Sequence, residues 1–245
     1  MQTNILYTFF LCFICTTIYS QKEYFSTNGK DRITKTELFK KIEKKQNYIS
    51  SSSGIEHIGT YIIDNTEIIS DSIIKHVYIG VKKYESIDER HKKTPIAKYL
   101  NKQLPKFDLK TINGKKITFD ELRGKPTLIN FWFTRCPPCI EEMPILNKLY
   151  NKYKNEVNFI SITYETKDHT EHFFKKHKFD FKHIINANDF IDSLGINRYP
   201  TNIFLDKDGR LTNVMGGIPY SRNKNGDLEI NQDPIEMSYI IEKLK

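Results

Sequence analysis

The chain has 245 residues, 38% of them hydrophobic, which is apolar material enough for one large or two small packed domains and excludes a disordered chain. Its formal charge of +8 is shared evenly between residues 21–100 and 101–245, with acidic side chains scattered among the basic ones. That is a mixed, solvated surface, and it argues against a specific nucleic-acid site.

Ile5 to Ile18 is uncharged and mostly apolar, lies ahead of Tyr19-Ser20-Gln21, and is followed by the first charges at Lys22 and Glu23. Residues 1–20 therefore read as a secretory signal peptide cleaved after Ser20, short for a span that needs about 20 apolar residues. An uncleaved N-terminal anchor is the alternative, because Met1-Gln-Thr-Asn4 offers only the terminal amine as its positive end. Neither Cys12 nor Cys15 follows the small residues of a lipoprotein cleavage site. Export leaves Cys136 and Cys139. A bridge between them closes too small a loop to stabilise a fold much, so a redox role explains them better. Structural zinc would need a second pair.

Residues 21–100 read as a small α+β region with no catalytic constellation. Thr34-x-x-Glu37 is a capping box that opens an amphipathic helix through Leu38, Phe39 and Ile42, and Ser50 to Gly54 is expected to end it. His57 to Ile63 and Ile73 to Val81 are β-type runs, with Asp64-Asn65 as the expected turn. The charged stretch Lys82 to Lys93, with Pro95, is the expected linker, and Ile96 to Leu100 a last helical turn.

From Leu104 strands and helices alternate. Phe107 to Leu109 and Lys116 to Phe119 flank Asn113-Gly114, a hairpin signal. Thr127 to Phe133 is a short apolar run behind Gly124-Lys125-Pro126 and predicts a central strand covered on both faces. Cys136-Pro-Pro-Cys139 follows, and Ile140 to Tyr150 continues at helical spacing, so Pro137 and Pro138 fall in a first helical turn. Cys136 then sits at the positive end of a helix, where a thiolate, the form that attacks a disulfide, is stabilised. Strands at Val157 to Thr163, Phe181 to Asn186, Asn202 to Leu205 and Arg210 to Met215, and helices at Asp168 to His177, Asp189 to Leu194 and Asp233 to Leu244, complete an α/β order. Ile218 to Asn231 is a polar insertion with Asn225-Gly226 as its turn.

With Phe131-Trp132 before the cysteines, Glu142-Met-Pro144 after them and Tyr199-Pro200 downstream, residues 104–245 resemble the thioredoxin superfamily. Within it the likeness is to the TlpA/ResA-type bacterial thiol-disulfide oxidoreductases. The resemblance implies a thioredoxin-like fold, a periplasmic or extracytoplasmic location and no cofactor. It makes Cys136 an exposed nucleophile and Cys139 a buried resolving thiol, joined when oxidised as a redox-active disulfide. Glu142, three residues beyond Cys139 on the same helical face, would be a partly buried carboxylate managing the resolving proton. Its alternative is a surface acid favoured by the helix N-terminus, as Glu141 is expected to be. Where thioredoxins hold a buried acid in the central strand, this chain has Asn130.

Pro200 matches the family's cis-proline loop, offering the backbone of Tyr199 to an extended substrate. Trp132 and Arg135 complete the expected substrate-side set, Trp132 chiefly by packing and Arg135 where a tryptophan usually precedes the first cysteine. Two prolines between the cysteines remove both intervening N–H donors, which points to a reducing pair. The implied partners are disulfide-containing exported proteins and a membrane thiol electron donor. His169, His172, His177 and His183 read as a surface helix plus a strand end, with no metal ligand spacing. Two other functions stay open. One is a partner-binding envelope or stress protein using the fold as scaffold, which removal of residues 21–100 would discriminate. The other is a peroxidase, disfavoured because Asn130 and Arg135 do not reproduce Pro-x-x-x-Thr-x-x-Cys.

Overall fold

The computed structural model describes residues 21–222 and 227–245. The expected signal segment and the Asn225-Gly226 turn lie outside them. The N-terminal elements are β1 (Lys22–Ser26), α1 (Lys35–Ser53), β2 (His57–Ile69) and β3 (Ser72–Lys83), in sheet order β1-β3-β2. The capping box forms: the Thr34 side chain accepts from Glu37 N, while Thr34 N donates to Glu37 Oε2 at 2.7 Å. Leu38 and Ile42 of α1 bury against Phe25, Tyr61 and Val77 of the sheet.

Two local expectations are corrected. Ser50 to Ser53 continue α1 instead of breaking it: the Ser51 and Ser53 hydroxyls bond back to carbonyls of the preceding turn (Ser51 Oγ to Asn47 O, 2.8 Å; Ser53 Oγ to Ile49 O, 2.7 Å), Ser50 Oγ accepts from His57 N at 3.0 Å, and the helix stops at Gly54 with φ 66°. Asp64-Asn65 is not the hairpin turn. The strand absorbs it as an irregularity between Ile63 and Asn65, and the chain reverses at Ser70-Asp71, where Ser70 takes φ 53°.

The second part contains the hairpin β4 (Asp108–Lys110) and β5 (Lys116–Thr118), then β6 (Thr127–Phe131), α2 (Pro137–Tyr153), β7 (Asn158–Ile162), α3 (Lys167–Phe174), β8 (Lys182–Ile184), α4 (Asn188–Leu194), β9 (Thr201–Leu205) and β10 (Leu211–Met215). The expected insertion holds a second small hairpin, β11 (Tyr220–Arg222) and β12 (Leu228–Ile230), before α5 (Ile235–Leu244). The main sheet has the order β10-β9-β6-β7-β8, with β6, β7 and β8 parallel and β9 and β10 antiparallel. Period-two alternation sorts its central strands. Ile129, Phe131, Ile203 and Leu205 face one core cluster, whereas Leu128 and Phe204 face the other, which holds Met143, Leu146 and Leu149 of α2. Asn130 and Asn202 have the parity of this second face and are direct cross-strand partners, so the fold aims two amides at α2.

The expected linker is not one. Lys82 and Lys83 end β3, and the residues after them dock on the main sheet: Asp88 N donates to Val214 O at 3.0 Å and Val214 N to Ser86 O at 2.8 Å. Ile96, in a 3-10 turn over Pro95–Tyr99, is fully buried in the first core cluster. The run of charges misleads because Ile87 within it, and Ile96 in the expected helical turn after it, are the residues that pack. A cut testing whether the redox part works alone therefore belongs before Tyr84, not at residue 100. Ile96→Ala should cost about 2–5 kcal/mol in urea unfolding, and a loss below about 1 kcal/mol would place this segment outside the core.

Candidate active site

β6 ends at Phe131, and a short loop carries the chain to Cys136, the N-cap of α2. Glu165 staples that loop: its carboxylate accepts from Thr134 N and from Thr134 Oγ1, both at 2.7 Å. Nothing in the sequence pattern marks Glu165 for this, since it simply follows β7. Cys136 and Cys139 form a disulfide, with Cα atoms 5.2 Å apart. Cys139 N donates to Cys136 Sγ at 3.3 Å. This N–H lies just past Pro137 and Pro138, which have no N–H of their own. Cys136 is not exposed as expected: bonded to Cys139, it is 3% accessible and belongs to the buried cluster that packs around α2.

Glu142 is fully buried, more so than expected, one helical turn beyond Cys139. Asn130 Nδ2 donates to its Oε1 at 2.8 Å, Asn202 Nδ2 approaches the same oxygen at 3.5 Å, and Ile218 N donates to Oε2 at 3.0 Å. Burial pushes the carboxyl up to about 7, and these donors pull back only part of the rise. No cation is among the groups acting on it. Asn202 was missed from sequence, although an asparagine inside an apolar strand is a usable signal, since a buried amide needs partners. It also accepts from Asn130 Nδ2 at 3.0 Å and donates to Gly216 O at 3.1 Å. Glu141, on the neighbouring face, is exposed and bonded to Tyr220 OH.

The Tyr199-Pro200 bond is cis. Pro200 is buried and Tyr199 half-buried, its ring edge-on to Phe133 at 5.2 Å; burial pushes its phenol up to about 12. Gly217 has to be glycine, for a Cβ there would lie 2.7 Å from Pro200 Cγ and 3.2 Å from Glu142 Oε2. One small residue thus lets the proline loop and the buried acid close on each other.

Trp132 does not reach a substrate. It is fully buried and packs on Phe173, Phe174 and Phe179, supporting the loop from beneath. Arg135 is exposed on a groove of about 450 Å³ shared with Thr134, Glu165, His169, His172 and Lys176. His177 also lines it, stacked on Phe173 at 4.3 Å. His183 is apart from them, between Ser161 Oγ (2.6 Å) and Phe179 O (2.9 Å), and burial lowers its pKa to about 4. Among the described residues no group of three His, Cys, Asp or Glu side chains is placed to hold a metal ion.

A family model described as the AhpC/TSA family matches residues 100–214. A thiol-disulfide oxidoreductase ResA of Bacillus cereus is 32% identical over 142 residues, which are 57% of this chain and 80% of that protein. One from Bacillus anthracis is 34% identical over 133 residues, 53% of this chain and 77% of that protein. A crystal structure of a candidate thiol-disulfide oxidoreductase from Bacteroides vulgatus matches with a TM-score of 0.50 at 22% identity, over 61% of this chain and 99% of that one, a likeness of fold.

Between pH 4.5 and about 7 the folded, oxidised protein keeps a proton on Glu142 that the unfolded chain has released. This carboxyl therefore lowers stability as pH rises through that window, by about 3 kcal/mol in all. Glu142→Gln should flatten that slope. Urea unfolding of both proteins at about pH 5 and about pH 8 checks it, and a pH-independent difference between them would mean that Glu142 titrates as an ordinary carboxyl.

Proposed function

Because the chain belongs to the thioredoxin superfamily, among its ResA-type thiol-disulfide oxidoreductases, we propose that it is exported and reduces protein disulfides through its Cys136-Pro-Pro-Cys139 pair. The observation that carries this reading is the Cys136–Cys139 disulfide at the N-terminus of α2, one turn from a fully buried Glu142.

In the reduced protein the Cys136 thiolate attacks one sulfur of a partner disulfide, and the partner's other sulfur leaves as a thiolate. Cys139 then attacks Cys136 in the mixed disulfide. The Cys136–Cys139 bond forms, the second partner sulfur leaves, and two electrons have passed to the partner. Cys139 must lose a proton to attack, and Glu142, whose carboxyl is poised at about 7, is suited to take it. A thiol donor at the membrane would restore the dithiol. One feature supports the reducing direction. The Cys136 sulfur is met by the N–H of Cys139 while the two prolines offer none, so the thiolate is less stabilised than in helices with free donors there. A less stabilised dithiol favours the disulfide, which makes the pair the better reductant.

The apolar, uncharged run Ile5 to Ile18 supports export to a periplasmic or other extracytoplasmic space. No helix among the described residues is long and apolar enough to cross a membrane. The partners are disulfide-containing exported proteins, which present an extended segment to the Tyr199-Pro200 loop.

Titration of the Cys136–Cys139 pair in redox buffers should give a potential near about −270 mV, as for a reductase, and no transition in Cys136→Ser. A value near about −120 mV would make the protein an oxidant of folding chains. The absence of any reversible two-electron transition would move the function to partner binding.

A further inference from the structure

The segment after β3 contributes no residue to the redox pair, yet two of its side chains reach both loops that close on Glu142. Asp88 Oδ2 accepts from Gly216 N at 2.7 Å, and Asp88 Oδ1 faces His91 Nδ1 at 2.6 Å. His91 is 3% exposed, and its Nε2 lies 3.0 Å from Thr201 Oγ1. Thr201 directly follows Pro200, and Gly216 stands two residues before Ile218, the backbone donor to Glu142 Oε2. Burial alone would raise the Asp88 pKa. His91, the Gly216 N–H and Arg90 outweigh it and hold the carboxyl well below the usual range, so it stays a charged acceptor for Gly216. The family-model match begins at residue 100, which leaves Asp88 and His91 outside it.

Such a pair is a poor stabiliser, because desolvating a carboxylate and an imidazole offsets much of their attraction. Its placement suggests a different use. We infer that Asp88 and His91 are positioning residues for the disulfide exchange: Asp88 fixes the Gly216–Ile218 loop and with it the donor that Ile218 presents to Glu142, and His91 fixes Thr201 and with it the Tyr199-Pro200 loop. The Asp88 half rests on the reading of Glu142 as the acceptor of the Cys139 proton, and the His91 half on substrate docking at Pro200. The groups acting on Glu142 are burial and the Ile218, Asn202 and Asn130 donors, so a change at Asp88 reaches it through geometry.

The test uses the oxidised full chain carrying ¹³C at glutamate side-chain carboxyls, titrated by NMR, with the Glu142 resonance assigned by its loss in Glu142→Gln. Asp88→Asn keeps the shape but not the second acceptor oxygen. Its Glu142 midpoint should rise by about half a pH unit, since a carboxylate that loses a donor holds its proton more tightly. His91→Gln should leave that midpoint in place. It should instead raise the KM for insulin, reduced at the expense of dithiothreitol, about fivefold with kcat unchanged, the signature of lost binding. Lys92→Ala, whose ammonium pairs with Glu85 and Glu89, is the control that moves neither. Thr201→Val, which also removes the hydroxyl's bond to Arg198 O at 2.7 Å, should reproduce the KM effect from the loop side, and an unchanged KM there overturns the His91 half if His91→Gln does not fold. Variants that lose thermal stability while both readouts stay at wild-type values would overturn the inference, leaving the pair purely structural. If no Glu142 resonance titrates near about pH 7 in the wild type, the Glu142 reading falls, and the inference then stands or falls on the KM arm.

Discussion

A carboxyl group with no access to water, surrounded by neutral hydrogen-bond donors and no cation, is the constraint on which the rest of this structure turns. Removing a carboxylate from water is so unfavourable that the group would simply stay protonated unless donors made good part of the loss. Glu142 receives that compensation from Asn130, Asn202 and Ile218, and the result is a proton affinity poised near neutrality. A cation in the same place would have held the carboxylate ionised, and an apolar wall would have kept it permanently protonated. Amides and one backbone N–H leave it able to gain or lose a proton near neutrality, the property on which the proposed proton transfer from Cys139 rests.

Each donor is supplied by a different level of the fold. Asn130 and Asn202 point toward α2 because strand alternation leaves them no choice once their neighbours Ile129, Phe131, Ile203 and Leu205 fill the opposite core. Ile218 is brought in by a loop that can pass between Pro200 and Glu142 only because Gly217 has no side chain. The same loop continues into the β11–β12 hairpin, so the insertion before α5 starts at the buried acid. The redox pair follows from the same sheet. β6 ends where α2 begins, and Glu165 and Trp132 hold the few residues between them.

The N-terminal α+β part meets the thioredoxin-like part at α5, where Ile235 packs on the N-terminal core, and along β10. Surface ion pairs such as Lys82 with Glu236 and Lys243 with Glu56 tie it to α5, and pairs of this kind contribute little individually. The stretch from Tyr84 to Leu100 is different. It runs along the free side of β10, buries Ile96 and His91, and ends in the core. A thioredoxin-like domain bounded at Leu104 would omit this strip, and with it Asp88 and His91.

What the sequence determined by itself was whatever depends on neighbours along the chain. The capping box at Thr34, the order of strands and helices from Phe107 to β10, the closing helix, the cysteine pair on a helix N-terminus and the glutamate one turn later were legible, because helix and strand periodicity and turn chemistry are local, whereas the β11–β12 strands inside the polar insertion were not. The cis bond before Pro200 was legible through the resemblance, not through physics, since an isolated Tyr-Pro unit prefers trans. Tertiary structure alone decided the rest. That Ser50 to Ser53 stay helical, that Cys136 is buried, and that Trp132 lies beneath the site instead of on it depend on which surfaces are covered. So does the meeting of Asn202, Gly217 and Ile218 at Glu142, of Glu165 with Thr134, and of Asp88 and His91 with Gly216 and Thr201. Hydrogen bonds between residues separated by tens of positions leave no periodic trace in a sequence, and burial, which fixes the proton affinity of Glu142, exists only once the whole chain has closed around it.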